Sequence, residues 1–415
     1  MLATIITIGD ELLLGNTIDT NSAWIASQLY KVGIEVVKTY TISDKSSEIV
    51  YCLGEAKAKS DLILITGGLG PTSDDITKET LAKYFGTKLV FNQAVSDEVS
   101  LFFSKRGLPY TERNKTQAML PENAKILENK NGTAPGMWFE KNDKVFISMP
   151  GVPYEMKGIM ENHILPILIK KQDNTYMVFR HILCMGIGES FLADKLVDFV
   201  AALPEQIKLA YLPNYNKVKL RLTAKGNNKS NLENGIDTQI KKLNELIGEY
   251  IYGYDNDTLE SIVGKLLIQE KSSIATAESC TGGFIAHKLT SIAGSSAYFN
   301  GACITYSNEM KSELLGVDKR VLDKHGAVSE EVVAQMLSGV KDRLKVDCAI
   351  AVSGIAGPSG GTKEKPVGTV WIGVDYKGKI EIRKFQFNGT SRQRNIELTT
   401  DKALDLLRKL LLNCN

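Results

Sequence analysis

Residues 61–75 read DLILITGGLGPTSDD, an apolar run followed at once by glycines and acidic residues. The run at 61–66 has no polar alternation, which is typical of a strand buried on both faces of a parallel sheet. Similar apolar strands are predicted at Ala3–Ile8, Ile34–Ile42 and Lys144–Met149, with helices between them. Strands that alternate with helices indicate an α/β domain, whose ligands usually bind outside the carboxyl ends of the strands.

The rest of the chain divides into a small module and a second α/β region. Residues 175–253 predict a strand, a helix, a strand pair and a second helix, and the turn residues GYDND (253–257) follow. From Thr258 onward, strands again alternate with helices. We therefore predict an α/β fold class with three domains, namely a parallel-sheet domain at 1–170, an α+β module at 171–255 and a C-terminal α/β domain at 256–415.

Composition excludes several classes of protein. The 415 residues carry 50 Lys and Arg against 48 Asp and Glu, so a net charge of +2 favours neither nucleic acid nor an anionic membrane. No apolar run reaches the roughly 18 residues that a membrane span needs. Asp10 and Glu11 precede the first basic residue, Lys31, which is the wrong order for a secretory signal. Six cysteines without a C-x-x-C pair fit a reducing cytoplasm, where we expect the protein.

Two loops at predicted strand ends combine glycines with carboxylates. They are Gly9–Asn16 and Gly67–Asp75. Glycines allow a ligand to approach the backbone, and four carboxylates (Asp10, Glu11, Asp74 and Asp75) could hold Mg²⁺ against a pyrophosphate. The alternative is that Asp74 and Asp75 cap the next helix while Glu11 is solvated. Spacing alone leaves both interpretations open.

The N-terminal motifs resemble a known family. TIGDELLLGNTIDTNSAWIASQL (7–29), ITGGLGPTSDDITKE (65–79) and MPGVPYEM (149–156) are similar to the competence/damage-inducible protein A (CinA) family, whose first domain has a molybdopterin-binding-like fold. The resemblance implies ADP-ribose pyrophosphatase activity with Mg²⁺ or Co²⁺, the metal being held by Asp10, Asp74 and Asp75. The substrate-site residues predicted for this domain are Asp10, Glu11, Asn16, Asp19, Asn21, Gly68, Gly70, Asp74, Asp75 and Lys115.

Three segments of the last domain carry nucleophiles and bases: TAESCTGG (276–283), GSS (294–296) and TYSNEMK (305–311). Histidine is scarce there, but a lysine can act as the base if burial lowers its pKa from about 10.4 toward 7. A serine–lysine pair would then support acyl transfer. Cys280, at a predicted helix start, is a rival nucleophile. The residues alone do not decide between them.

The resemblance to the CinA family also covers this domain. AESCTGG, GSSAYFNGACITYSNEMKSELLGV and VSGIAGPSGGTKEKPVGTVWIG are similar to its nicotinamide-nucleotide (NMN) amidase domain, a serine amidohydrolase that uses a lysine. The resemblance implies Ser296 as nucleophile, Lys311 as base and Tyr306 as a supporting phenol, with no cofactor. It further implies that substrate is bound by Ser279, Thr281, Gly282, Ser353, Arg392 and Arg394.

The middle module resembles the family's KH-like insert. It has no G-x-x-G loop, so we expect no RNA binding. Over the whole chain, the resemblance implies a homodimeric hydrolase that converts NMN to nicotinic acid mononucleotide and cleaves ADP-ribose to AMP and ribose 5-phosphate. The alternative is a molybdopterin-binding or competence-related interaction protein with one or both domains catalytically silent.

Overall fold

A computed structural model describes residues 1–171, 176–214, 217–389 and 391–413. The chain divides into two compact units. The N-terminal unit comprises residues 1–179 and 223–237, and the C-terminal unit comprises residues 180–222 and 238–415. No described helix is both long enough and apolar enough to cross a bilayer.

The first 171 residues form eight strands and eight helices, with a 3-10 turn at Thr116–Ala118 and a π-helical turn at Met160–Ile164. The strands are β1 (Leu2–Ile8), β2 (Glu35–Ile42), β3 (Leu62–Thr66), β4 (Leu89–Phe91), β5 (Met119–Pro121), β6 (Lys125–Leu127), β7 (Gly136–Lys141) and β8 (Lys144–Met149). The helices are α1 (Asp10–Leu13), α2 (Thr20–Lys31), α3 (Ser46–Lys59), α4 (Thr77–Phe85), α5 (Gln93–Ser104), α6 (Glu112–Lys115), α7 (Pro153–Ile159) and α8 (Leu165–Lys171).

The main sheet of this unit has the order β2-β1-β3-β8-β7-β6. Strands β2, β1, β3 and β8 are parallel, so the loops at Gly9 and Gly67 leave the same edge. All five residues of β3 are buried, because helices cover both faces of a parallel sheet. The antiparallel strands β6 and β7 extend the sheet beyond the parallel part that the sequence predicted.

The middle segment supplies four strands and three helices. They are β9 (Tyr176–Met185), α9 (Glu189–Lys195), α10 (Val197–Ala201), β10 (Ile207–Asn214), β11 (Lys217–Gly226), α11 (Lys229–Ile247) and β12 (Ile251–Tyr254). Strand β12 pairs antiparallel with β9, with Ile251 opposite Cys184. The predicted domain boundary at 170/171 is followed by residues 172–175, which lie outside the described residues. The three predicted domain ranges stay predictions.

The last part of the chain contains five strands and six helices. They are α12 (Leu259–Gln269), β13 (Ile274–Glu278), α13 (Phe284–Thr290), β14 (Phe299–Ile304), α14 (Asn308–Leu315), α15 (Lys319–His325), α16 (Glu330–Leu344), β15 (Cys348–Gly354), β16 (Thr369–Tyr376), β17 (Lys379–Gln386) and α17 (Arg392–Leu412). The sheet order is β14-β13-β15-β16-β17, and the last two strands are antiparallel to their neighbours.

The parallel strands of this sheet bring three chain segments to one edge. Glu278, the last residue of β13, is paired with Ile304 on β14 and with Val352 on β15. The residues that follow these three therefore lie together at the carboxyl edge, where ligands of such sheets usually bind. The mixed α/β fold class predicted from the sequence is confirmed by these two sheets.

Candidate active sites

A buried lysine lies at the carboxyl edge of the C-terminal sheet. Lys311, in the first half of α14, is 1% exposed. Its Nζ lies 3.1 Å from the Ser279 Oγ and donates to the main-chain oxygens of Thr305 at 3.0 Å and Tyr306 at 3.4 Å. Ser279 follows β13 directly and Thr305 follows β14, so the paired strand ends create this cluster.

The three oxygens around the Lys311 Nζ can accept all three N–H bonds of an ammonium, and the same cluster can also hold the neutral amine. Burial lowers the pKa of Lys311, because the charged ammonium loses its hydration. A neutral amine has two N–H bonds and one lone pair. When the two main-chain oxygens accept the N–H bonds, the lone pair is left for the hydrogen of the Ser279 hydroxyl. Lys311 can therefore take a proton from Ser279.

The register of the sheet separates Ser296 from Lys311. Ser296 lies in the 3-10 turn Ser295–Ala297, which precedes β14, whereas the Lys311 amine is bonded to Thr305 O, which follows it. The strand between them rises about 16 Å, five steps of roughly 3.3 Å each. The predicted pairing of Ser296 with Lys311 stays a prediction, and Ser279 is the hydroxyl that the structure places beside the amine.

A buried carboxylate fixes the turn that carries Ser279. Glu278 is fully buried and accepts five hydrogen bonds of 2.7–3.1 Å from two hydroxyls and three amides. The donors are Thr276 Oγ1, Thr281 Oγ1, Gly283 N, Ile285 N and Ala286 N. The predicted ligand-binding residue Thr281 thus uses its hydroxyl inside the protein. Gly282 has a φ of +60°, a backbone conformation that favours glycine.

A phenol and a guanidinium lie beyond this cluster. The Tyr306 hydroxyl accepts from Arg392 Nη2 at 2.5 Å, and Arg392 Nη1 donates to Gly357 O at 2.8 Å. Tyr306 is 60% exposed, so this pair is accessible from solvent. Arg392 opens α17 and Tyr306 precedes α14, so the two helices deliver these groups to the same edge as Lys311.

The other two predicted amidase residues have protein partners. The Ser353 Oγ, at the carboxyl end of β15, donates to Ala327 O at 2.7 Å. Arg394 lies two residues into α17 and forms an ion pair with Glu397 at 2.9 Å. Ser353 therefore braces the edge of the sheet. Arg394 is held by its own helix.

The environment of Cys280 disfavours a thiolate. Burial raises the pKa of this thiol to about 12, against the opposing effect of the Lys311 and Arg392 charges. A thiol of that pKa is almost wholly protonated at neutral pH, and the thiolate is the nucleophilic form. Cys280 is therefore a weaker candidate for the nucleophile than a serine beside Lys311.

The N-terminal unit contains a cavity of about 480 Å³ at the carboxyl edge of its sheet. Five of the predicted residues line it, namely Glu11, Gly68, Gly70, Asp74 and Asp75. Three residues that the sequence analysis did not single out also line it: Asp44, Gln117 and Glu155. Asp44 follows β2 in the same way as Asp10 follows β1. The expectation that ligands bind outside the carboxyl ends of the strands would therefore have pointed to Asp44.

Carboxylates crowd this cavity. Burial raises the pKa of Asp44, and the negative charges of Asp10, Glu11 and Asp75 raise it further, against a 3.0 Å hydrogen bond from the Asp10 amide. Burial also raises the pKa of Glu155. Such crowding of like charges is relieved by a bound cation.

Asp19 and Asn21 line a smaller cleft of about 90 Å³, which shares Glu11 with the larger cavity. The Asp19 carboxylate caps α2 by accepting from Ser22 N at 2.9 Å. Asn21 donates to Gly151 O at 2.7 Å, and its buried Oδ1 has no partner among the described residues. The fixed amide thus keeps one free acceptor at the cleft.

Three predicted residues do not line either cavity. Asp10 contributes its amide to Asp44, and Asn16 is exposed in the loop after α1. The Lys115 amine forms an ion pair with Glu112 at 2.5 Å on the surface. The predicted roles of these three residues at the substrate site stay predictions.

The side chains at this cavity offer Mg²⁺ only part of its coordination shell. The described residues contain no preformed group of three or more His, Cys, Asp or Glu side chains placed to hold a metal ion. Mg²⁺ usually takes only one or two protein carboxylates and completes its shell with water and substrate phosphates. The carboxylates of Asp44, Asp74 and Asp75 are hard oxygen donors at one cavity, so their chemistry fits such a shared site.

Relatives match the chain from end to end. It is 47% identical over 409 residues to the CinA-like protein of Cytophaga hutchinsonii, covering 99% of this chain and 98% of that protein. The chain belongs to the CinA family. A putative competence-damage inducible protein of Halothermothrix orenii is 43% identical over 412 residues, covering 99% of each chain.

Models of three domains match successive parts of this CinA-family chain. The probable molybdopterin binding domain matches residues 4–170, the damage-inducible protein CinA KH domain 180–253 and the CinA C-terminal domain 256–411. Among solved structures, the competence damage-inducible protein A of Klebsiella pneumoniae is 36% identical, covering 38% of this chain and 97% of that chain with a TM-score of 0.37.

Proposed function

We propose that the C-terminal domain is a serine–lysine amidase that hydrolyses NMN. The observation that carries this proposal is the 3.1 Å contact between the Lys311 amine and the Ser279 hydroxyl, at a lysine whose pKa burial has lowered. This pair supplies a nucleophile and a base without histidine or metal. Ser279 takes the role that the sequence analysis gave to Ser296.

The reaction uses groups at the carboxyl edge of the sheet. Ser279 Oγ attacks the carboxamide carbon while Lys311 Nζ takes its proton. The ammonium then passes a proton to the leaving nitrogen, which departs as ammonia and leaves an acyl-enzyme. Water, deprotonated by Lys311, hydrolyses the ester and releases nicotinic acid mononucleotide.

Backbone amides next to the nucleophile support this assignment. The amides of Cys280 and Thr281 donate to no other residue in the part of the chain that the structure describes. They are suited to stabilise the oxyanion of the tetrahedral intermediate, as donors aimed at developing charge do in acyl transfer. Arg392 is the predicted partner of the substrate phosphate, which a guanidinium binds with two parallel hydrogen bonds.

We propose that the N-terminal domain hydrolyses ADP-ribose to AMP and ribose 5-phosphate. The support is the carboxylate cavity at the sheet edge, which Gly68 and Gly70 also line. One or two of the carboxylates of Asp44, Asp74 and Asp75 would hold Mg²⁺ or Co²⁺, and water and substrate phosphates would complete its shell. When bound, the ion supplies charge neutralisation of the phosphates and polarises the phosphorus–oxygen bond.

Product analysis tests both halves of the proposal. Wild-type protein is incubated with NMN or with ADP-ribose and Mg²⁺, and ammonia and AMP are quantified. We expect Lys311→Ala to abolish ammonia release and leave AMP formation unchanged, and Asp74→Ala to show the reverse pattern. Ammonia release retained by Lys311→Ala, or AMP formation retained by Asp74→Ala, would refute the corresponding assignment.

A further inference from the structure

Gln117 is a buried residue whose side-chain nitrogen is unpaired among the residues that the structure describes. It occupies the middle of the 3-10 turn Thr116–Ala118, is 1% exposed and lines the acidic cavity. Its Nε2 has no hydrogen-bond partner in the described part of the chain. A buried donor without a partner destabilises a fold, so most proteins avoid one.

Neighbouring residues hold the backbone of Gln117 in place. The buried Lys78 donates from Nζ to Thr116 O at 2.8 Å, and the Asn92 amide donates to Ala118 O at 2.8 Å. The carbonyls on both sides of Gln117 are therefore fixed, although its own side chain is unpaired. Such an arrangement presents a side chain in a defined place for a ligand.

The lining of the cavity limits which side chains can donate a hydrogen bond to a phosphate there. The side chains of Asp44, Asp75 and Glu155 line the same cavity and are acceptors when ionised. A phosphate needs donors, and a neutral amide supplies an N–H. Rotation about the last side-chain bond of Gln117 can turn either end of the amide toward the cavity.

We propose that Gln117 is a substrate-binding residue that donates a hydrogen bond from Nε2–H to a phosphate oxygen. The inference rests on the proposed ADP-ribose hydrolysis and gives a role to Gln117, which lies in the motif NKTQA (114–118) but was not predicted as a site residue. It explains why the chain retains an unpaired amide in a cavity otherwise lined by carboxylates.

The test compares Gln117→Met with Gln93→Met in the full-length protein with Mg²⁺. Gln93 is exposed on α5 and bonds to Asp97 at 2.8 Å, away from the cavity, so it controls for loss of a glutamine. We expect Gln117→Met to raise KM for ADP-ribose at least about tenfold with kcat within threefold, because the lost bond is to a charged phosphate. We also expect its Tm without ligand to rise, since the unpaired amide is gone.

Two results would overturn the inference: an unchanged KM in Gln117→Met, or a raised KM together with a lower Tm, which indicates a structural role. Gln117→Glu keeps the shape but replaces the donor with a charge, and we expect it to raise KM further than Gln117→Met does. If the wild type does not cleave ADP-ribose, the proposed function fails. The role of Gln117 is then tested by calorimetric titration of both proteins with ADP. A Kd that is tenfold higher for Gln117→Met than for the wild type supports phosphate binding by Gln117. An equal Kd, or no binding of ADP to the wild type, refutes it.

Discussion

Replacing Ser279 or Ser296 with alanine separates the two serines that could attack NMN. Ser279 Oγ is 3.1 Å from Lys311 Nζ, within the roughly 2.6–3.2 Å needed for direct proton transfer. Ser296 lies at the other end of β14, about 16 Å along the strand. We therefore expect Ser279→Ala to lower kcat/KM at least about 10³-fold, and Ser296→Ala to lower it less than threefold.

The assay measures ammonia release from NMN at saturating and limiting substrate. Thermal unfolding of each variant, followed by circular dichroism, serves as the folding control, because both serines lie in the C-terminal unit and ADP-ribose cleavage would not report on its folding. Mass spectrometry during turnover adds a direct readout: an acylated peptide containing Ser279 is expected in the wild type. Loss of amidase activity in Ser296→Ala, with activity retained in Ser279→Ala, would refute the argument from sheet register.

A pH profile and two further variants probe the same edge of the sheet. The amidase needs the neutral amine of Lys311, and burial lowers the pKa of that amine. We therefore expect kcat/KM to rise with pH and to level off below 10.5, the ordinary pKa of lysine. A rise that continues above pH 10.5 would contradict the assignment of Lys311 as the base. Cys280→Ala should retain amidase activity within about threefold, because a thiol with a pKa of about 12 is protonated at neutral pH. Loss of turnover in this variant would instead indicate that Cys280 is the nucleophile. Arg392→Met should raise KM for NMN about tenfold or more while KM for nicotinamide riboside changes little; equal effects on both substrates would exclude phosphate recognition.

The order of strands and helices was predictable because apolar runs and turn residues are local signals. DLILIT (61–66) predicted a fully buried strand, and the structure places β3 at Leu62–Thr66 with all five residues buried. The antiparallel strands β6 and β7 were missed, since β6 is only three residues long and carries little periodicity.

The site was predictable in residue type but not in pairing. Lys311 was predicted as a buried base, and the structure buries it. Which hydroxyl lies beside Lys311 depends on strand register. The register pairs Glu278 with Ile304, which lies 26 positions later, and no local sequence pattern indicates this pairing. Asp44 and Gln117 were missed for the same reason, because their place in the cavity comes from tertiary contacts.

The carboxylate of Glu278 has a consequence for substrate binding. Its two oxygens accept five hydrogen bonds from residues of β13, the turn that follows and α13. The turn that carries Ser279 therefore has its conformation before any substrate binds. Ordering that loop was completed during folding, so little backbone entropy is lost on association. Evolution could therefore alter the exposed rim around Tyr306 to accept other carboxamides while the reacting atoms keep their positions.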